Sequence, residues 1–330
     1  MFRITRHWLL ILVITCFPVC LTHASHSGRP GLRGVKQQTT PPAASQASQS
    51  TEPLRTASDR KHDIRHIRLD LRVDVAKKTV VSQATIDFKT MRAAKTLSLD
   101  AVGFEVKKVM LSRDGQASSQ AQYTHDGKKL VVELGNGMPA GQSGTVTVEY
   151  LVKQPRSGLH FFAPGKTNPE APLQVWSQGQ TITNRYWIPC VDEPNQRQTT
   201  QVVVTVPAGY EAISNGKLVS RKENPADQTV TFDWLQDKPH PSYLITLVVG
   251  QFDVVQEDWN GIPVMYYVPK GKKAEALPTY GKTRDMMTYF STRFGIPYPW
   301  DKYAQITAFQ FGGGMENTSA TTMGDFILKD

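Results

Sequence analysis

Residues 67–75 alternate without a break: Ile67, Leu69, Leu71, Val73 and Val75 are apolar, and the Arg68, Asp70, Arg72 and Asp74 between them are charged. A period of two places every apolar side chain on one face of an extended backbone, the signature of a half-buried strand. The pattern recurs in Ala84-Ile86-Phe88, Leu97-Leu99, residues 130–134, Val146-Val148-Tyr150-Val152, Val202-Val204-Val206, Val230-Phe232-Trp234 and residues 244–249. Asp114-Gly115, Asp126-Gly127, Asn136-Gly137, Asn215-Gly216 and Asn260-Gly261 punctuate these runs. Such dipeptides accept the positive φ of tight hairpin turns. The expectation is a mainly β protein, with an antiparallel β domain across residues 61–255 and no helix of consequence within it.

The period changes beyond Asp258. Residues 264–268 read as another strand, whereas Leu277, Tyr280, Met287, Phe290 and Phe294 fit a helix stripe that ends at Gly295. Pro297, Pro299 and Trp300 stiffen the connection to a strand over residues 305–311. A second, mixed α/β unit is expected over residues 256–330, incomplete at Asp330, with Phe290, Phe294 and Phe309 on an apolar face that lacks partners.

The first 24 residues have another character. Arg3 and Arg6 precede an almost unbroken apolar run from Trp8 to Leu21, and Thr22-His23-Ala24 puts small residues before Ser25. This is the pattern of an export signal. About fourteen apolar residues interrupted by Pro18 fall short of the roughly 20 that cross a bilayer, so no membrane span is expected after cleavage. Val19 is branched where lipoprotein processing at Cys20 would want a small residue. Residues 25–60, rich in Ser, Gln, Thr, Pro and Ala, cannot bury enough surface to offset their ordering entropy and are expected to be a disordered linker. Of three cysteines only Cys190 lies beyond the signal, so no intrachain disulfide is expected. The net charge of +9, less Arg3 and Arg6, leaves +7. Those cations are interspersed with acids, which describes a solvated surface and excludes a nucleic-acid footprint.

His62-Asp63-Ile64-Arg65-His66 has the two-histidine spacing of a helical zinc site. It leads into a strand, however, where residues four apart lie roughly 13 Å from each other and cannot share an ion. His26, His125, His160 and His240 show no ligand spacing, so no metal site is expected. Two other segments attract attention. Ser177-Gln178-Gly179-Gln180 is followed by Asn184-Arg185-Tyr186-Trp187-Ile188-Pro189-Cys190-Val191-Asp192-Glu193-Pro194, a proline-bounded loop that alone reads equally as a structural corner. Phe311-Gly312-Gly313-Gly314-Met315-Glu316-Asn317 is a glycine run closing on a carboxylate. Adjacent glycines let a backbone approach a ligand, and a carboxylate beside them can hold a cation such as an amino terminus. Glycine triplets also mark ordinary turns.

The two segments in this order resemble the aminopeptidase N family of zinc metallopeptidases, which includes the leukotriene hydrolase-like enzymes. Gly313-Gly314-Met315-Glu316-Asn317 matches the family's exopeptidase motif, and Ser177–Gln180 with Pro189–Pro194 matches its N-terminal-domain signature. Tyr298-Pro299-Trp300-Asp301-Lys302-Tyr303 matches the segment that the family places just upstream of the exopeptidase motif. The resemblance implies a saddle-shaped β domain packed on a thermolysin-like catalytic domain, with the peptide's amino terminus held between them. Glu316 would then accept hydrogen bonds from the α-ammonium, and Gln180 would be a second, uncharged anchor. Gly313 and Gly314 would lie along the peptide, and Met315 would help shape the pocket for its first side chain.

In that family the chemistry belongs to a zinc ion held by a His-Glu-x-x-His helix and a further Glu, assisted by a Tyr. No His-Glu-x-x-His occurs in this sequence, and no His follows His240. The expectation is therefore a truncated member that binds a peptide amino terminus but holds no zinc and no catalytic residue, although a full-length member would need zinc. The alternative is a non-catalytic secreted peptide-binding β module. Asn317-Thr318-Ser319 also fits the N-glycosylation pattern, but a glycan there would block the pocket, so the match is read as chance.

Overall fold

A computed structural model describes residues 59–329 apart from Thr167. The expected export signal and nearly all of the expected linker lie outside the described residues. Where the sequence alternates the backbone is extended, except that the run at residues 244–249 starts in a short 3-10 turn and becomes a strand only at Leu247. The first strands are β1 (His62–Asp74), β2 (Thr79–Thr90), β3 (Ala94–Asp100), β4 (Glu105–Arg113), β5 (Ser119–Gln120), β6 (Tyr123–His125), β7 (Lys129–Met138) and β8 (Ser143–Lys153). They are followed by β9 (Leu159–Phe162), β10 (Gln174–Ser177), β11 (Arg197–Pro207), β12 (Glu211–Ser214), β13 (Lys217–Asn224), β14 (Thr229–Pro241) and β15 (Leu247–Gly250). The remainder comprises β16 (Phe252–Trp259), β17 (Ile262–Pro269), α1 (Ala276–Tyr280), α2 (Thr283–Phe294), β18 (Tyr303–Ala308), β19 (Gly314–Met315) and β20 (Ala320–Gly324).

The largest sheet has eight strands in the order β13-β14-β11-β1-β2-β8-β4-β5. Its register explains why the alternation is so regular. Trp234, Val202, Leu69, Ala84, Val148 and Val109 pair in one row across six strands, and all six are buried. Burying each large apolar side chain stabilises the fold by about 1.5–3 kcal/mol. Surface ion pairs such as Lys77–Asp74 and Lys282–Asp285 contribute ~0–1 kcal/mol apiece, so the rows and not the charges hold the sheet.

The β domain is mainly antiparallel, as expected, with one exception. β1 pairs with β11 in parallel, Leu69 opposite Val202, so residues far apart in the chain close the centre of the sheet. A three-stranded sheet (β3-β7-β6) and a four-stranded sheet (β12-β15-β10-β9) complete it. Four of the five turn dipeptides lie between strands or just after one. Asn136-Gly137 instead falls inside β7, where Gly135 and Gly137 take positive φ and the β3–β7 register shifts. It makes a bulge, because a bulge needs the same left-handed backbone as a turn.

The chain enters a fourth, five-stranded sheet (β16-β17-β18-β20-β19) at Phe252. Alternation within β16 is weak, and sequence reading passed over it. The expected helix stripe is split into α1 and α2, because Gly281 and Lys282 separate them. α2 ends as expected at Gly295, in the left-handed conformation. One face of this sheet joins the main core through Ala304, Ile306, Ala308, Phe311, Met315 and Ala320. The other is covered by α1 and α2 through Val264, Tyr266, Val268, Tyr280 and Met287. Phe290 and Phe294 are exposed, as the stripe implied. Phe309 corrects that expectation: it meets Phe162 edge to face, with centroids 5.5 Å apart. No helix among the described residues is long and apolar enough to cross a membrane.

His240, near the end of β14, is buried, with Nε2 3.0 Å from Thr200 Oγ1. Burial lowers its pKa from 6.5 to about 3. The unfolded chain therefore takes up this proton first, and stability falls as pH drops from about 6.5 towards about 3. The slope from this one group is at most about 1.4 kcal/mol per pH unit. Urea unfolding across that window should show a shallower pH dependence for His240→Gln than for the wild type; equal slopes would contradict the assignment.

Candidate functional site

β10 delivers the Ser177–Gln180 segment, and each residue of the segment has its own part. Ser177 is buried: its Oγ accepts the Leu247 N–H at 2.9 Å and lies 3.0 Å from Thr246 Oγ1. Gly179 is required by packing, because a Cβ there would collide with the Tyr243 carbonyl and the Asn184 carboxamide. Gln178 Oε1 accepts the Gln180 N–H at 3.1 Å and fixes the backbone. That leaves the exposed Gln180 side chain to face solvent.

The second half of that motif is a support. Asn184 donates to the carbonyls of Ser242 (2.6 Å) and Ile245 (3.1 Å) and accepts the Trp187 indole N–H at 2.7 Å. Cys190 exchanges two backbone hydrogen bonds with Asp100, 2.7 and 3.1 Å long. Burial pushes its thiol well above the ordinary range, so it is unreactive. Arg185 bridges the buried carboxylates of Asp100 and Asp192, at 3.3 Å each. Desolvation raises the Asp192 carboxyl, against the pull of Arg185.

The glycine run is gripped from both sides by the β domain. Ahead of it, the Trp176 indole N–H donates to the Phe309 carbonyl at 3.0 Å, and the Phe309 N–H donates to Gln174 Oε1 at 2.7 Å. The Trp176 ring also meets Phe311 edge to face at 5.0 Å. Behind it, Asn215 Nδ2 donates to the Thr318 carbonyl at 2.7 Å, and the Gly216 N–H donates to Ser319 Oγ at 2.7 Å. The two sequence motifs are thus joined at β10, whose Gln174 and Trp176 hold the chain just before the glycines. No hydrogen bond links Gln180 directly to Glu316.

Within the run, Gly314 and Met315 form β19, the last strand of the five-stranded sheet, paired on one side only, with β20. Met315 is 1% exposed and its side chain lies in the main core. Asn317 is 2% exposed, and its Nδ2 donates to Thr322 Oγ1 at 3.2 Å. A glycan cannot occupy that buried amide. Between these two fixed residues Glu316 is exposed, and its carboxylate has no hydrogen-bond or ionic partner among the described residues. Gly312 and Gly313 have ordinary negative-side backbone angles, and nothing lies within 4 Å of where their Cβ atoms would be. Neither backbone strain nor internal packing asks for glycine there. The space beside the chain is open.

The sequence singles out Gln180 and Glu316, which are exposed, but not Gln174, Trp176, Asn215 and Ser319, whose hydrogen bonds hold the neighbouring chain. Asn215-Gly216 carried a signal and was read only as a turn. Besides Thr318, the Asn215 carboxamide serves the Leu244 carbonyl (2.9 Å) and the Thr246 N–H (2.9 Å). No group of three or more His, Cys, Asp or Glu that could hold a metal ion exists among the described residues. Asn215→Ala would leave those three buried groups unpaired, and a loss of about 3–5 kcal/mol in denaturant unfolding is expected. A change under 1 kcal/mol would show that the turn is not held this way.

Residues 61–244 match the Peptidase M1 N-terminal domain family. Among curated relatives, leukotriene A-4 hydrolase of Xenopus laevis is 25% identical over 286 residues, covering 84% of this chain and 46% of that protein. Aminopeptidase B of Rattus norvegicus is 27% identical over 306 residues, covering 86% and 45%. Aminopeptidase M1 of Arabidopsis thaliana is 28% identical over 277 residues, covering 79% and 31%. The chain spans less than half the length of these relatives. The family match covers more than half of the chain and coincides with the sheets that grip the glycine run: the protein belongs to the M1 peptidase family and carries that family's N-terminal domain.

Proposed function

We propose that this chain recognises the free amino terminus of a peptide, as the substrate-binding part of an aminopeptidase that removes N-terminal residues. The observation that carries this reading is the pairing of Glu316, exposed and unpartnered between two buried neighbours, with the open space beside Gly312 and Gly313. An α-ammonium brings three donors and a positive charge to a carboxylate whose backbone is already fixed, so little ordering is needed on binding. A charge-assisted contact of this kind is worth about 1.5–3 kcal/mol. Gln180 supplies a neutral acceptor, which adds a hydrogen bond without a second full charge. The unpaired side of β19 offers backbone groups to an extended peptide, which would join as an added strand.

The relatives called aminopeptidases support the class of substrate. The family resemblance also implies zinc-dependent hydrolysis for a full-length member. Because the described residues hold no ligand set for a metal, binding and orientation are assigned to this chain and no bond-breaking step is. The thermolysin-like identity of the unit after residue 255 belongs to the same proposal. Its support is the β17-α1-α2-β18 crossover, which pairs β17 and β18 in parallel.

Export is inferred from residues 1–24. Protein recovered from a secreting host should begin at Ser25 on N-terminal sequencing, and an intact Met1 would exclude cleavage. For the binding site, Glu316→Ala should weaken a peptide with a free amino terminus by roughly 10- to 150-fold, the equivalent of 1.5–3 kcal/mol. The N-acetylated peptide should bind weakly to both proteins. If calorimetry finds that the wild type does not distinguish the two peptides, the assignment fails.

A further inference from the structure

Lys302 is the one lysine or arginine among the described residues that is buried, 2% exposed. Its Nζ donates to the Ser214 carbonyl at 2.7 Å and to Ser319 Oγ at 3.4 Å, and lies 4.6 Å from the centre of the Trp234 ring. Among the described residues no carboxylate stands within ion-pairing distance of it. Asp301, its neighbour in sequence, instead gives Oδ1 to Lys238 Nζ at 3.0 Å. Ser214 and Trp234 belong to the β domain, whereas Ser319 closes the turn that follows Glu316. A single amine thus spans the joint.

A methionine would fill nearly the same volume without the cost of desolvating an ammonium. The position of Ser319 suggests what the ammonium does instead. Its φ of 61° lies in the left-handed region, which a serine keeps only when its surroundings hold it there. Three donors converge on this residue: the Gly216 N–H on Oγ (2.7 Å), the Ala304 N–H on the carbonyl (3.0 Å), and Lys302. Glu316 is three residues away, and on the side of the β domain the turn is held by Asn215 at Thr318 and by Gly216 and Lys302 at Ser319.

We propose that Lys302 is a positioning residue for the amine-binding segment: it holds the turn at residues 317–319, and through it Glu316, against the β domain without touching the ligand. The functional consequence rests on Glu316 being the amine anchor; the latch itself does not. Either protonation state can serve the two acceptors, because a neutral amine keeps two donors, and it does so without the cost of desolvating a charge. Burial lowers the Lys302 pKa from 10.5 to about 7, with Asp301 opposing. Lys238 is paired with Asp301, and Tyr298, which donates to the Lys302 carbonyl at 2.9 Å, is pushed far upward by burial and stays neutral. Tyr303 packs against Tyr298, and Ser214, Trp234 and Ser319 carry no titrating group in this range. Lys302 is then the group of this joint that changes charge near neutrality, and because an opened turn returns the amine to water, where it holds its proton more tightly, the closed latch gains as pH rises above about 7.

Hydrogen exchange on the full chain tests the latch directly. At pH 6, Lys302→Met should speed amide exchange at residues 317–320 about tenfold and leave β1 and β2 unchanged. In the wild type, protection of the same turn, corrected for intrinsic exchange rates, should rise between pH 6 and pH 8.5. Equal protection in both proteins, or in the wild type at both pH values, overturns the proposal. The wild-type arm decides the matter if the variant does not fold. Phenethylamine, an alkylammonium that stays charged through about pH 9 as a lysine side chain does, supplies the binding arm. Its affinity at pH 6 should drop about tenfold in Lys302→Met and be lost in Glu316→Ala. Binding unaffected by Glu316→Ala removes the amine-anchor reading, while the exchange data still judge the latch.

Discussion

The carboxamide of Asn215 is the contact on which the candidate site most depends. It is a small group with two donors and two acceptor lone pairs, and it uses them on three backbone partners drawn from different parts of the chain: Leu244, Thr246 and Thr318. Two of these belong to the approach to β15 and one to the turn after Glu316. Because all three are backbone groups, the contact fixes the path of the chain and is indifferent to the side chains displayed. With Trp176 and Gln174 holding residues 309–311 on the other side, the glycine run is suspended between two grips of the β domain. Its exposed residues can therefore be few and unpartnered without being floppy.

This arrangement explains the division of labour within the two motifs. Of the four residues of Ser177–Gln180, three are used by the protein itself. In the Gly313–Asn317 motif, Met315 and Asn317 point inward and Glu316 points outward, which is the alternation of an edge strand carried into the site. A motif read as a list of ligand contacts would overcount them. Most of its members hold the remaining one in place.

Much of the fold was legible because its stabilising rows have the shortest period a sequence can carry. Leu69, Ala84, Val148 and Val202 announce their common face locally, one strand at a time. What the alternation could not convey was partnership: the parallel pairing of β1 with β11 depends on residues more than a hundred positions apart and leaves no local trace. β16 was missed for a related reason, since its alternation is weak and its start coincides with a change of sheet. At the candidate site, motif resemblance and charge single out Glu316 and Gln180. Lys302 was quoted only as part of a matching segment, because nothing in one sequence reveals that a lysine is buried. Asn215 was hidden by its success as a turn residue.

Gly312 and Gly313 differ from the other glycines that matter here. Gly179 and Gly324 are fixed by the protein's own atoms, and any side chain there would be a folding error. At Gly312 and Gly313 the protein is indifferent. A methyl group added at either position meets no other atom of the described residues, so packing exerts no restraint on these two residues. They are the two positions of the run at which the surface beside Glu316 can be reshaped without renegotiating the architecture.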